Sequence, residues 1–323
     1  MHPWNEPILE SLKARLARLP HALLIHGPRG VGKLALAERM VQLLLCEHTE
    51  AAQRPCGRCD ACRWYLAGNH PDVRRVEPEA VARQPAEAGE EEGAEPGTRE
   101  SPARRSKPSI IITVDQVREL ADFLNLRSHR GGVRVALVHP AEEMNANAAN
   151  ALLKGLEEPP AGAMFILVSH RPARLLPTVR SRCVAIPVPI PARDVAVAWL
   201  KEQGAENPER WLAYAGGAPL QALAYAEDAA AWDRLLESPG LVDDRESLER
   251  LAEALQKMAY DRAFSAFGVP PKYRTGTAAA SPATALAWLR YARQMGENRA
   301  LTRHPLNPRL FSAEMLGSLP KKG

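Results

Sequence analysis

A glycine-rich loop between an apolar run and a helical segment constrains the fold of this chain more than any other feature. Residues 21–36 read HALLIHGPRGVGKLAL, so a short apolar run leads directly into the glycines. Residues 33–46 continue with helical spacing of apolar side chains, which predicts a strand, a loop and a helix in succession. In this arrangement the loop N–H groups bind phosphate oxygens at the helix N-terminus. The sequence therefore predicts a P-loop whose phosphate-binding residues are Gly27, Gly30, Gly32 and Lys33.

The loop departs from a working nucleotide site at the positions that should hold magnesium. A hydrolysing P-loop has Ser or Thr after Lys33, and here the residue is Leu34. The strand that should end in acidic residues ends at His139, and Glu142 lies beyond Pro140. Together the two departures predict a retained phosphate loop without hydrolysis, in which binding of ATP or ADP is weak or vestigial. Two alternatives stay open: a chance glycine turn, and a self-sufficient ATPase whose unusual metal shell uses Glu142.

Four of the five cysteines are clustered in the pattern C-x9-C-x2-C-x2-C, at Cys46, Cys56, Cys59 and Cys62. Two consecutive C-x2-C steps let neighbouring thiolates meet on one cation, and the more distant fourth cysteine completes a tetrahedron. The pattern predicts a structural zinc site that joins the end of the P-loop helix to the following loop. An iron–sulfur cluster and free thiols are the alternatives. Cys183 stands apart and is not predicted to be a ligand.

Apolar runs alternate with helical patterns along the first part of the chain. Strands are predicted in the SIII segment from residue 109, in VRVALVH at 133–139 and in MFILVSH at 164–170. Helices are predicted after the SIII segment and in NANAANALLKGLEEPP at 145–160, where two prolines end the helix. The alternation predicts an α/β fold, with a mostly parallel sheet covered by helices on both faces.

The pattern after residue 190 is helical, with a break at GGAP, residues 216–219. We expect three domains: an α/β domain at 1–190 that contains the cysteine segment 46–62, a small helical domain at 191–231, and a larger helical domain at 232–323.

Residues 77–108 are rich in Glu, Ala, Pro and Arg, with Val81 as their only large apolar residue. Such a segment buries too little apolar surface to offset its chain entropy, which predicts a disordered surface loop. The net charge of +4 is compatible with a nucleic-acid partner without requiring one, so a stand-alone zinc-containing DNA-binding protein is a further alternative. No apolar run approaches the roughly 18 residues of a membrane span. Since the N-terminus also lacks a signal-peptide pattern, we expect a cytoplasmic protein.

Several motifs in combination resemble one protein family. The P-loop with its four-cysteine insert, NHPD at 69–72, NALLKGLEEPP at 150–160 and TVRSRC at 178–183 are similar to clamp-loader subunits of the bacterial replicative DNA polymerase III, within the AAA+ group. The resemblance spans nearly the whole chain and is weakest in 77–108 and in the C-terminal third. The motor subunits of that family have an intact GKS/T loop and an acidic strand end. This chain has neither, and so it resembles the non-hydrolysing member of the ring.

The resemblance implies an AAA+ α/β P-loop domain with a zinc module, a small helical lid and a helical collar that forms a hetero-oligomer. It also implies that Arg182, supported by Ser181, acts in trans on ATP bound to the adjoining motor subunit. From spacing alone, Arg182 could equally be a solvated surface arginine. The implied partners are the motor (tau/gamma) and delta subunits, with the sliding clamp and primer-template DNA reached through the complex. The implied task is to open the sliding clamp and close it around primed DNA.

Two acidic residues end the helix predicted at 145–160. The helix dipole disfavours Glu157 and Glu158 at that position, so a cationic partner at a subunit interface is one interpretation. Two solvated acids are the other. In NHPD we predict a turn in which His70 packs, rather than a metal site or a general base formed with Asp72.

Overall fold

The computed structural model describes residues 1–82, 109–129, 131–276, 281–302, 304 and 306–320. The chain divides into two compact units, Met1–Pro189 and Ile190–Gly323. The partition into domains at 1–190, 191–231 and 232–323 is finer than this division and stays a prediction. Most of the predicted disordered loop, residues 83–108, lies outside the described residues, and its first part contains a helical turn at Glu79–Ala82.

A five-stranded parallel sheet forms the centre of the first unit, in the order β2-β3-β4-β1-β5. Its strands are β1 Ala22–His26, β2 Val73–Val76, β3 Arg134–Val138, β4 Ala163–Ser169 and β5 Val184–Pro187. The central strands β1, β3 and β4 confirm three of the predicted apolar runs. The edge strands β2 and β5 were not predicted, because each is short and only one of its four residues is fully buried.

The strand predicted in the SIII segment is wrong. Ile110 and Ile111 are exposed, at 42% and 41%, whereas Ile112 is fully buried. Ile112 forms only an isolated bridge with Met144. Its N–H donates to the Glu143 carbonyl at 2.8 Å, and its own carbonyl accepts from the N–H of Asn145 at 3.2 Å. These two bonds anchor a single residue and do not extend into a ladder, even though β-branched residues are typical of strands.

Helices cover both faces of the sheet, as predicted. The first unit contains α1 Glu6–Lys13, α2 Lys33–Leu45, α3 Asp60–Leu66, α4 Glu79–Ala82, α5 Val114–Asn125, α6 Ala146–Glu157 and α7 Pro177–Arg180. Residues of α5 and α6 share one hydrophobic cluster with alternate strand residues such as Leu24 and Phe165. Helix α2 contacts β1, β3 and β4 without joining that cluster. Because successive strand side chains point to opposite faces, α2 lies on the other side of the sheet.

Local capping residues set the start of the two helices that share this cluster. Thr113 and Gln116 form a capping box at the start of α5. The Asn145 side chain accepts a hydrogen bond from the N–H of Ala148 at 2.8 Å at the start of α6. Helix α6 ends at Glu157 because two prolines follow Glu158 and cannot continue it.

The described part of the second unit contains helices and no strand. They are α8 Arg193–Glu202, α9 Pro208–Tyr214, α10 Pro219–Glu227, α11 Ala229–Glu237, α12 Arg245–Ala266, α13 Ala285–Leu301 and α14 Pro308–Gly317. One buried cluster is rich in aromatic residues, including Trp211, Tyr214 and Trp232. A second cluster packs α12 against α13 and α14. None of the helices in the described ranges has both the length and the apolar character of a membrane span.

Candidate functional site

The predicted P-loop connects β1 to α2, and β1 lies between β4 and β5 in the sheet. A Cβ at Gly27, where φ is +155°, would lie 2.1 Å from the carbonyl oxygen of Val188. Only glycine fits this position. Gly30 and Gly32 also have positive φ, and Gly32 is the N-cap of α2. The backbone therefore has the strand, glycine loop and helix that the sequence predicted, with the unpaired N–H groups of the first turn of α2 beside the loop.

Lys33 is folded into its own loop. The side chain is only 2% exposed, and its Nζ donates to the carbonyl of Pro28. Burial lowers the pKa of Lys33 to about 8, and the nearby Glu142 carboxylate opposes this shift. The ammonium group is thus held by a loop carbonyl.

Residues near the N-terminus brace the loop from outside, which the sequence did not reveal. The indole N–H of Trp4 donates to the carbonyl of Val31 at 3.0 Å. The Asn5 side-chain amide donates to the carbonyls of Val31 and Gly32 at 3.0 and 3.2 Å. Asn5 is only 1% exposed, and the His2 ring stacks on Trp4. Three hydrogen bonds from distant residues therefore fix the loop carbonyls, and no local pattern signals them.

Oxygen ligands are scarce where a hydrolysing site would hold magnesium. Leu34 offers no oxygen, and β3 is followed by His139. Both carboxylate oxygens of Glu142 accept from the backbone N–H of His170, at 3.0 and 3.2 Å. The rings of His139 and His170 lie 5.3 Å apart. Burial lowers the pKa of His139 to about 4 and that of His170 to about 3, so both imidazoles are neutral near pH 7.

The four clustered cysteines converge as their spacing predicted. Cys46 follows α2, Cys56 and Cys59 lie in the next loop, and Cys62 lies on α3. Their four Sγ atoms all lie within 4.8 Å of one another, and those of Cys46 and Cys59 are 4.0 Å apart. Tetrahedral zinc with Zn–S bonds of about 2.3 Å places sulfurs about 3.8 Å apart, so the residues fit zinc. Among the described residues, this is the only group of three or more His, Cys, Asp or Glu side chains close enough to share a metal ion.

Backbone donors and burial act on these thiols in opposite directions. The N–H of Cys56 donates to Cys46 Sγ and the N–H of Cys59 donates to Cys56 Sγ, both at 3.4 Å. The N–H groups of Arg58 and Cys59 lower the pKa of Cys56 to about 6. Burial raises the pKa of Cys62 to about 12. A bound cation would offset the cost of holding a buried thiolate at Cys62.

Cys183 is separate from this cluster. It packs against the hydrophobic cluster of α5 and α6, and burial raises the pKa of its thiol to about 11. Its surroundings are those of a structural thiol.

Arg182 lies just after the short helix α7 and contacts its own chain. Its Nη1 donates to the carbonyl of Thr178 at 3.0 Å and lies 3.4 Å from Ser181 Oγ. Its Nη2 lies 2.5 Å from Glu157 Oε1, and the Arg182 and Glu157 side chains are 35% and 48% exposed. The cation beside Glu157 therefore belongs to the same chain. Glu158 is exposed and has no ion pair among the described residues.

The NHPD segment forms the predicted turn, and Asp72 anchors it. His70 is 6% exposed and its Nδ1 accepts from the N–H of Asp72 at 3.1 Å. The buried Asp72 carboxylate accepts from Ser128 Oγ at 3.0 Å and from the His129 N–H at 2.9 Å. The Asp72 carboxylate thereby joins the NHPD turn to the loop before β3.

Comparison with known proteins agrees with these motifs. The family described as DNA polymerase III, delta subunit, matches residues 4–191. The chain belongs to this DNA polymerase III family. A Pseudomonas aeruginosa relative named DNA polymerase III subunit delta' is 41% identical over 226 residues, which are 69% of this chain and 60% of the relative. The Escherichia coli protein of the same name is 35% identical over 228 residues, again 69% of this chain and 60% of the relative.

The chain is also similar to a second type of DNA polymerase III subunit. A Salmonella typhimurium protein named DNA polymerase III subunit tau is 32% identical over 169 residues, which are 52% of this chain and 22% of the relative. The matches to the delta' proteins span about 60% of those relatives' length. The resemblance to the bacterial DNA polymerase III subunits, read from the motifs, is thereby confirmed.

Proposed function

We propose that this chain is the non-hydrolysing subunit of a DNA polymerase III clamp loader and that it provides Arg182 in trans to the ATP site of a motor subunit. In this role it assembles with tau/gamma and delta subunits to load the sliding clamp onto primed DNA. The names of its relatives support membership of a DNA polymerase III complex. Its motifs support the role of the non-hydrolysing subunit in the ring.

The loss of oxygen ligands around the phosphate loop is the observation that carries the non-hydrolysing role. Mg²⁺ prefers oxygen ligands in octahedral geometry, and the loop offers Leu34 and a neutral His139 instead. Glu142, the acid that the alternative ATPase would use, already accepts the backbone N–H of His170 with both oxygens. Phosphate contacts through Lys33 would first require its ammonium group to leave the Pro28 carbonyl. Nucleotide binding at this loop is therefore weak or vestigial.

In this proposal ATP is hydrolysed on a neighbouring motor subunit, and this chain supplies the positive charge of Arg182 to that site. An arginine guanidinium placed on the transferring phosphoryl group typically accelerates the reaction about 10³- to 10⁵-fold. Arg182 is partly exposed beside a one-turn helix, so it is accessible to a neighbouring subunit. Ser181 supports it, because the hydroxyl and the Arg182 guanidinium both donate to the carbonyl of Thr178.

Zinc is the cofactor that we propose for the cysteine cluster. Cys46, Cys56, Cys59 and Cys62 would hold it through four thiolates, which leaves no open position for catalysis. The ion would supply bonds that join the end of α2 to α3, within a segment of the first unit that otherwise contains short elements.

The proposal is tested by ATP turnover in the reconstituted complex. We expect Arg182→Ala to lower turnover without preventing assembly, because the neighbouring site loses charge stabilisation in its transition state. The matched control is Arg180→Ala, which removes an exposed arginine two residues away on α7 and should leave turnover close to that of the unmodified complex.

Normal turnover with Arg182→Ala would refute the trans role. The isolated chain should show no ATPase activity above contaminants. Activity of the isolated chain that Lys33→Ala abolishes would instead establish the alternative, a self-sufficient ATPase.

A further inference from the structure

Both terminal nitrogens of the Arg182 guanidinium contact its own chain. Nη1 donates to the Thr178 carbonyl, and Nη2 pairs with Glu157 at 2.5 Å. An arginine that stabilises a phosphoryl group uses the same fork of donors. A neighbour's phosphate that binds through the same fork would therefore compete with Glu157 for Nη2.

We propose that Glu157 holds Arg182 on its own chain, in an ion pair that we term the parking contact. The arginine must leave this carboxylate before it can act on a neighbouring ATP. This inference rests on the trans role of Arg182 proposed above and adds Glu157 as a positioning residue. While Arg182 is not bound at a neighbour's ATP site, the contact with Glu157 lowers the fraction of the arginine that is free to bind ATP.

The packing of α6 fixes Glu157 in place for this role. Leu152, earlier on the helix, and the adjacent Leu156 are only 3% and 2% exposed within the core of the first unit. The prolines that follow Glu158 end the helix, so Glu157 lies in its last turn. The helix dipole disfavours a carboxylate there, and the guanidinium offsets that cost. Glu158 lies at the same helix end, exposed and without an ion pair among the described residues, so position at the helix end alone does not produce the contact.

The pair is weak enough to open. The two side chains are 35% and 48% exposed, and exposed ion pairs typically change an equilibrium by about two- to fivefold. A phosphate group offers more negative charge and two oxygens to the same fork, so it competes well with one carboxylate oxygen. Salt should weaken the parking contact further, since it screens exposed charges.

The test compares Glu157→Gln with its neighbour Glu158→Gln in the reconstituted complex at low ionic strength. Glutamine keeps the size of the side chain and removes the charge. We expect Glu157→Gln to raise kcat/KM for ATP by about two- to fivefold, and Glu158→Gln to leave it unchanged. The increase should disappear when Arg182→Ala is also present, and it should shrink at about 0.5 M salt. A role of Glu157 in folding alone would not depend on Arg182.

The outcomes separate this inference from the proposed function. If Arg182→Ala lowers turnover while Glu157→Gln behaves like Glu158→Gln, the parking contact is wrong and the trans role survives. A fall in kcat/KM with Glu157→Gln would mean that the carboxylate aims the arginine, which also overturns the inference. If Arg182→Ala itself has no effect, both proposals fail. Thermal unfolding of the isolated Glu157→Gln chain, expected to match that of Glu158→Gln, excludes misfolding as the cause.

Discussion

Acid should destabilise the first unit through the buried histidine that follows β3. Burial lowers the pKa of His139 from 6.5 to about 4. In the unfolded chain this imidazole takes up a proton as the pH falls below 6.5, whereas in the folded chain it stays neutral until about pH 4. Over that interval the unfolded state binds more protons, so the free energy of unfolding decreases as the pH falls. The stabilisation is complete above pH 6.5 and is lost progressively down to about pH 4.

The size of the effect follows from the two pKa values. Between pH 7 and pH 5 there are about 1.5 pH units over which the unfolded form is protonated and the folded form stays neutral. At 1.36 kcal/mol per unit, this lowers the free energy of unfolding by about 2 kcal/mol. His139→Gln removes this titration, so the variant should lose about 2 kcal/mol less than the unmodified chain over the same interval. His170 is present in both proteins.

Hydrogen exchange of the β3 and β4 amides measures this difference, since it reports the free energy of opening of the first unit. The two proteins are compared at pH 7, 6 and 5. The exposed His129 provides the control, because His129→Gln should leave the pH dependence unchanged. Equal pH dependence of His139→Gln and the unmodified chain would refute the reasoning, since it would mean that His139 takes up its proton without unfolding.

Two further sets of variants test the glycine loop and the proposed zinc site. Gly27→Ala should destabilise the first unit by more than about 3 kcal/mol in urea unfolding, because the new Cβ meets the Val188 carbonyl at 2.1 Å. Gly68→Ala, where the Cβ meets nothing within 4 Å, should cost only about 1 kcal/mol, and equal losses would contradict the steric argument. Metal analysis should find about one zinc per chain, lost in Cys59→Ser and retained in Cys183→Ser. A metal-free unmodified protein would rule the site out.

The sequence predicted the parts of the fold that depend on local burial. Strands β1, β3 and β4 lie inside the sheet and each is apolar except for one residue at its end, so their composition reveals them. Strand β2 reads VRRV, and its two arginines are exposed at the edge of the sheet, which weakens the apolar signal. The SIII segment has the composition of a strand, yet only Ile112 is buried. Which residue of a short apolar run enters the core depends on distant partners that no local pattern encodes.

The same distinction holds for the site. The spacing of the loop glycines and of the four cysteines is local, and the structure brings each set together. The contact between Glu157 and Arg182 joins residues 25 positions apart in the sequence and could not be read from spacing. From the sequence, the unfavourable position of Glu157 on the helix indicated either a cationic partner on another subunit or a solvated acid. The cation belongs to the same chain.

The hydrogen bond between Trp4 and Val31 makes the fluorescence of Trp4 a measure of the conformation of the glycine loop. Indole emission responds to the polarity around its N–H, and this N–H is attached to a loop carbonyl. Any anion that rearranges the loop should shift the fluorescence of Trp4, and Trp4→Phe would identify its share among the six tryptophans. Occupancy of the loop could then be followed by fluorescence titration, with no turnover required.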